Sequence, residues 1–231
     1  MGTLPKGQRA IDDFPRFGLQ QFQYRFPDQI ERIAFEVGGD VEKSLLVEER
    51  FLQLPRTKQV SDFHCVTTWS KCGLEWSGVR FRDFYEQLVV PEVRPEADAR
   101  LVVFRGQDGN CASLPLEDLL ADDVLIADAL DGQPLSIAHG APVRLVAPGH
   151  YGYKNIKHLR AIEFWRDARH YRYPAPSFLD HPRARVDREE RAVGLPNWIV
   201  RPLYRLVIPS TRWVSRIFLD RHLRKRDDHP P

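Results

Sequence analysis

The segment DFHCVTTWSKCG, residues 62–73, follows a stretch of alternating apolar and polar residues that predicts a β-strand over residues 59–65. In such a strand His64 and Cys65 point to opposite faces, so we expect His64 to be partly buried and hydrogen-bonded rather than a second ligand. Cys65 has three possible roles: a metal ligand, one half of a redox pair with Cys72, or the small buried hydrophobe that a free cysteine usually is. The rest of the sequence must decide between them.

Short elements extend outward from this strand. Residues 33–39 alternate and end at a glycine pair, which predicts a strand and a turn, and residues 44–54 have the spacing of one or two helical turns. The later pattern predicts an amphipathic helix at 79–90, a strand at 99–106, a helix from about residue 115, strands at 124–132 and 142–149, and a strand or helix at 159–168. Long crossover helices are missing, so we predict an α+β, strand-rich mixed fold over residues 1–175.

Residues 176–231 have a different composition and are predicted to form a Pro- and Arg-rich extension with a basic, amphipathic end. Residues 181–231 carry twelve Arg or Lys and six Asp or Glu, a net charge of about +6, while the remaining residues carry about −4. We favour an arm that packs back on the domain. Docking to a redox partner or to an anionic membrane surface remains open, and nucleic-acid binding is disfavoured because the whole chain carries only +2.

Composition sets the broad class. With 231 residues and 42% hydrophobic content, the chain can bury a substantial core. Three cysteines are too few, and odd in number, for a secreted disulfide framework, which indicates a reducing compartment. The first residues lack the pattern of an export signal, and no long apolar window predicts a membrane span. We therefore expect a cytoplasmic protein.

A second motif lies about 75 residues after Cys65, where HGAPVR (residues 139–144) is followed by GYKNIK (residues 152–157). Small residues let a ligand approach backbone N–H groups, and the basic residues provide donors for a phosphate. Together with the cysteine strand, these motifs resemble the oxidoreductase molybdopterin-binding domain of the sulfite oxidase family. The resemblance covers residues 11 to about 170.

This resemblance implies a molybdenum-molybdopterin cofactor, a two-electron oxygen-atom transfer, and Cys65 as the catalytic metal ligand. A thiolate is a soft donor and suits a metal that is already bound by sulfur. By motif position, the resemblance also implies cofactor-binding residues: Arg16, Phe17, Arg105, His139, Arg144, Asn155, Ile156 and Lys157. Tyr151 and Tyr153 are candidate catalytic residues at the rim of the pocket, where a phenol can donate a hydrogen bond to the substrate.

The sequence departs from true sulfite oxidases, which resemble one another in having an arginine shortly after the metal cysteine. Here Cys65 is followed by VTTWSK, so the small-molecule substrate stays unassigned. No haem-attachment or iron–sulfur motif is present, which predicts an external electron-transfer partner, a haem or flavin protein. The main alternative is a catalytically silent family member that binds a pterin or another protein. Thiol redox sensing by Cys65 and Cys72 is a weaker one.

Overall fold

The computed structural model describes residues 3–228, in which strands form two β-sheets joined by short helices. The helices are α1 (Arg50–Gln53), α2 (Phe81–Phe84, continued by a π-helix at Tyr85–Val93), α3 (Leu116–Leu119) and α4 (Asn197–Asp228). The strands are β1 (Arg9–Ala10), β2 (Phe35–Gly39), β3 (Leu45–Val47), β4 (Arg56–His64), β5 (Trp69–Arg80), β6 (Leu101–Gly106), β7 (Cys111–Pro115), β8 (Leu125–Leu130), β9 (Gln133–Pro134), β10 (Arg144–Val146) and β11 (Leu159–Trp165).

The first sheet has the order β1-β5-β8-β10, with β4 paired to β5 and β9 paired to β8. β4 and β5 are antiparallel neighbours, and the short loop between them, residues 65–68, contains Cys65. The second sheet has the order β3-β2-β11-β6-β7, and its strand β11 runs parallel to β2 and antiparallel to β6. Strands of both sheets contribute to one buried apolar cluster, which includes Phe35, Val79, Phe104, Ile126 and Phe164. Burial of each such side chain stabilises the fold by about 1.5–3 kcal/mol.

The α+β, strand-rich class predicted from the sequence is confirmed, with two local corrections. Residues 45–47 form a strand against β2, and only residues 50–53 form the predicted helical turn. The 12-residue strand β5 was not predicted, because its apolar residues do not alternate: Gly73 has a φ of +70° and the pairing with β8 shifts register after Ser77. The ambiguous stretch at 159–168 contains a strand, since it lies in the middle of the second sheet.

The C-terminal extension packs against the domain. The Tyr151 N–H donates to the Ala184 carbonyl (2.9 Å) and the Val186 N–H to the Gly149 carbonyl (3.0 Å). Helix α4 follows, 32 residues long. Across residues 3–228, no helix combines the length and the apolar character that a membrane crossing needs. The division at residue 175 stays a prediction, because the two parts share buried contacts.

Candidate functional site

The loop at residues 65–68 holds the cysteine in a tight turn. The Cys65 N–H donates to the Trp69 carbonyl (2.8 Å), and the Thr68 N–H donates to the Cys65 carbonyl (3.1 Å). Thr68 has a φ of +78°, which is unusual for a β-branched residue and costs about 1–3 kcal/mol. A turn of this kind persists only where surrounding contacts hold it.

Those contacts come from the two ends of the chain. The Gln8 side chain donates to the Cys65 carbonyl (3.0 Å), and the Arg191 guanidinium donates to the Val66 carbonyl (2.6 Å). From α4, the Arg205 guanidinium donates to the Thr68 hydroxyl (3.3 Å). Arg191 is fully buried, and its Nε lies 3.2 Å from a carboxylate oxygen of Glu189. The extension therefore fixes the loop that presents Cys65.

The two cysteines of the opening segment lie in different environments. Cys65 is buried, with its Sγ 3.1 Å from the Thr67 hydroxyl, while Cys72 is exposed on β5. Burial raises the pKa of Cys65 to about 11, against a smaller lowering by Arg191 and Lys157, and burial also raises the pKa of Cys72. Neither thiol is a ready nucleophile, so a redox pair is not supported.

His64 has the environment predicted for it. Its Nδ1 lies 2.7 Å from the Ser70 hydroxyl, and the ring is buried on the other side of the strand from Cys65. The period-two argument was sufficient here because the register shift in β4 lies between Ser61 and Phe63, before His64.

A cavity of about 400 Å³ opens beside Cys65. One side is apolar and includes Phe17 and Phe22. Helix α4 contributes Tyr204, Val207 and Thr211 to the lining, although these residues are some 140 positions from Cys65 in the chain. The extension is thus part of the wall of the pocket.

The opposite side of the cavity is cationic. Arg16 is buried and donates to the carbonyls of Gln23 (2.7 Å) and Arg25 (2.9 Å), and the Lys157 ammonium donates to the Ala138 carbonyl (2.8 Å). Burial lowers the pKa of Arg16 to about 10 and lowers that of Lys157 strongly. The lining thus holds the buried Arg16 guanidinium and the half-buried Lys157 ammonium with one carboxylate, Asp108, so this end of the cavity is arranged for an anion.

His158 also lines the cavity and was not among the predicted residues. Its Nδ1 lies 2.6 Å from the Ala141 carbonyl, which assigns the ring proton to Nδ1, and its buried Nε2 has no partner among the described residues. Burial lowers the pKa of His158 to about 3, so the ring is neutral. A neutral acceptor in the wall fits a ligand with N–H groups, such as a pterin. Nothing in the sequence beyond its position after Lys157 distinguished it.

Arg144 and Asn155 build the frame of this wall. The Arg144 guanidinium is fully buried and donates to the carbonyls of His139 (2.9 Å) and Asn155 (3.2 Å). The Asn155 side chain accepts from the Ala147 N–H (2.6 Å), and Asn155 lines the cavity. Arg144 does not line the cavity. Its hydrogen bonds hold the 139–157 segment in place.

Other predicted residues lie elsewhere. Ile156 belongs to the hydrophobic core, because its side chain points inward from the segment whose neighbours line the cavity. Tyr151 packs against Ala184 and Val186 under the Arg191 guanidinium, whose carbon lies 4.8 Å from the ring centre. His139 stacks on Phe14 with ring centres 4.6 Å apart. None of these side chains lines the cavity.

Arg105 is placed on the second sheet, where it forms a bidentate pair with Glu163 at 2.6 and 2.9 Å. It does not line the cavity, because the next strand provides a carboxylate that holds its side chain there. Phe17 and Tyr153, which were predicted as site residues, both line the cavity. Phe17 packs on Trp69 with ring centres 5.5 Å apart, and the Tyr153 hydroxyl accepts from the His181 N–H (3.0 Å).

Comparison with known proteins identifies the class of this protein. Residues 23–173 match the family described as "Oxidoreductase molybdopterin binding domain". The chain belongs to this family, and it is a molybdopterin-dependent oxidoreductase of the sulfite oxidase type.

Individual relatives support this family assignment. The "Uncharacterized oxidoreductase YuiH" of Bacillus subtilis is 34% identical over 167 residues, which are 72% of this chain and 81% of that protein. The "Protein-methionine-sulfoxide reductase catalytic subunit MsrP" of Xanthomonas axonopodis pv. citri is 28% identical over 190 residues, and the match covers 69% of this chain and 56% of MsrP. The chain thus spans only about half of the latter relative.

A solved structure supports the fold. The sulfane dehydrogenase SoxCD from Paracoccus pantotrophus superposes with a TM-score of 0.51 at 24% identity, and the match covers 58% of this chain and 38% of that chain. The observed groups fit the cofactor: a buried thiol for the metal, the side chains of Arg16 and Lys157 for a phosphate, and the unpartnered Nε2 of His158 as a hydrogen-bond acceptor. These side chains are therefore compatible with a bound molybdopterin.

Proposed function

We propose that this protein transfers an oxygen atom to or from a small, uncharged substrate, such as a sulfoxide or an N-oxide. The observation that carries the proposal is the buried Cys65 in the wall of a cavity with a cationic end at Arg16 and Lys157. When bound, molybdopterin supplies a metal that changes by two electrons as oxygen moves between water and substrate. The chain's own residues bind, orient and shield the reactants.

The proposed role of Cys65 is to hold the metal as a thiolate. Its pKa of about 11 means that the free thiol keeps its proton near neutral pH, so metal binding must displace that proton. Arg191 and Lys157 favour the anionic form through their charges. Arg16 and Lys157 would hold the phosphate, and His158 Nε2 would accept an N–H from the pterin ring.

The uncharged substrate is inferred from the side of the cavity that α4 forms. Tyr204 and Val207 present mainly apolar surface there, with the Thr211 hydroxyl beside them. The extension does bring Arg191 close to the cysteine loop, yet this guanidinium is already bound to Glu189 and to the Val66 carbonyl. A sulfite dianion would lose its hydration without gaining a free cation on this side.

We further propose a cytoplasmic location and an external haem or flavin protein as electron carrier. The three cysteines are free, and Cys72 is exposed, which suits a reducing compartment. The fractionation of the protein in its native cells tests the location directly. Recovery of this protein outside the cytoplasm would contradict the proposal.

Metal analysis and turnover test the function. Protein from a host that makes molybdopterin should contain close to one molybdenum per chain, and Cys65→Ser should retain only a trace, while the matched variant Cys111→Ser should keep the wild-type content. Dye-linked assays should then show turnover of sulfoxides or N-oxides above that of sulfite. A loaded protein that turns over none of them would favour the catalytically silent alternative, and equal metal in Cys65→Ser would refute the ligand assignment.

A further inference from the structure

Helix α4 has two apolar faces, and only one of them is covered. Towards the domain it buries Val200, Ile208 and Thr211. On the opposite side Trp198, Leu206 and Trp213 are 75%, 76% and 67% exposed. Separations of eight and seven residues place these three side chains along one stripe, since a helix repeats every 3.6 residues.

The stripe is continuous along the first half of the helix. Pro202 and Pro209 lie on the same side between the three large residues, and Leu203 at its edge is 56% exposed. Isolated apolar residues on a surface are ordinary, whereas an aligned set of large ones marks an interaction site.

Positive charge continues the helix beyond the stripe. Arg216, Arg221, Arg224 and Lys225 are exposed, and in the part of the chain that the structure describes they form no ion pair. Arg212 and Arg226, by contrast, pair with Asp13 and Glu31. The free cations therefore lie where they can meet an anionic surface.

We propose that this face of α4, Trp198–Trp213 with the basic segment Arg216–Lys225, in which four exposed cations outnumber the exposed carboxylate of Asp220, binds the surface of an anionic lipid bilayer. A helix with tryptophan and leucine on one side and arginines beside them suits the interface between headgroups and acyl chains. The stripe is convex and one helix wide, which suits insertion of a few side chains better than a protein interface of standard size. The net charge of about −4 on residues 1–180 would turn that part away from the bilayer.

Such docking has a consequence for the cavity. Tyr204 and Val207 line it from the other face of the same helix, so the pocket would lie about one helix diameter, roughly 10 Å, from the membrane surface. This position would let the protein meet an uncharged substrate or a carrier that is associated with lipid.

The test uses the full-length holoprotein and sedimentation with vesicles of phosphatidylcholine, with and without phosphatidylglycerol. The wild type should bind the anionic vesicles and not the neutral ones, and binding should weaken with salt. Trp198→Ser/Leu206→Ser/Trp213→Ser should lower partitioning by at least about tenfold. Arg216→Gln and Arg221→Gln should each lower it by roughly fivefold, as about 1 kcal/mol per basic residue implies.

The matched control is Leu52→Ser/Val60→Ser, which removes exposed apolar residues from the domain and should leave binding unchanged. Molybdenum content should stay at the wild-type value in every variant, so failure of docking is distinguishable from failure of the proposed function. Absence of binding by the wild type, or equal binding by the triple variant, would overturn the proposal. So would a wild-type dimer that the triple variant dissociates, because the face would then bind a second copy.

Discussion

The family domain and the C-terminal extension contribute to one cavity in different ways. Residues 23–173, which match the family, supply the side chains of Cys65, Lys157 and His158, which suit the cofactor. The extension supplies the apolar wall on α4 and the Arg191 contact behind the cysteine loop. Family membership therefore identifies the cofactor more directly than the substrate, since much of the substrate side comes from residues outside the match.

Arg191→Met should give the largest effect, because it removes the contact that joins the two regions. The Val66 carbonyl loses its donor and Glu189 loses one of two partners, and breaking a buried pair of this kind costs about 3–5 kcal/mol. Urea unfolding should show this loss. Arg188→Met, an exposed arginine of the same segment, should unfold as the wild type does, and similar stability for both variants would show that the extension does not hold the loop.

Lys157→Met should separate cofactor binding from stability within the family domain. Loss of a phosphate contact should lower cofactor retention by about 10–100-fold, as for other residues around a metal centre. The cofactor-free protein should become slightly more stable, because burial of the Lys157 cation, which lowers its pKa, no longer costs energy. Molybdenum content and apo melting temperature measure the two effects. Lys43→Met on the surface is the control, and a fall in both quantities would contradict the assignment.

Acid should destabilise the folded protein through His158, which the family domain contributes to the cavity. The folded-state pKa of His158 is lowered to about 3, while the unfolded chain takes up the proton near pH 6.5. The contribution of neutral His158 to the free energy of unfolding is therefore fully present above about pH 6.5. It falls below that pH by up to about 1.4 kcal/mol per pH unit. His158→Gln should show a smaller loss between pH 7 and pH 5 in denaturant titrations of the apoprotein. Parallel losses in both proteins would exclude His158 as a contributor.

Val207→Ala should have the smallest effect, and that effect should be confined to substrate binding. Shortening a side chain in the α4 wall should change KM for an uncharged substrate by a few-fold to about tenfold, with molybdenum content unchanged. Steady-state kinetics with a dye acceptor measures this change. Val193→Ala, in the same extension but outside the cavity lining, should leave KM unaltered. A change of metal content in Val207→Ala would instead place α4 at the cofactor.

Local rules predicted much of the domain and part of the site. Alternation before Cys65 predicted β4 and the direction of His64, since successive side chains of a strand point to opposite faces and the register shift of β4 lies before His64. Motif position named Arg16, Asn155 and Lys157, which do line the cavity. Motif position also named Arg105, and Tyr151 was a candidate at the rim; their side chains lie elsewhere because they contact Glu163 and Ala184, which are distant in sequence.

The sequence alone indicated the class of this protein through its resemblance to a known family, which rests on the strand before Cys65 and on the small and basic residues of 139–157; the chemistry of these residues agrees with a thiolate-bound metal and a phosphate-bearing cofactor. Only the tertiary structure decided that Arg191 contacts Val66 and that Tyr204 and Val207 line the same cavity as Cys65. Those contacts join residues more than 120 positions apart. Their partners are selected by packing of the whole chain, which no local pattern of residues encodes.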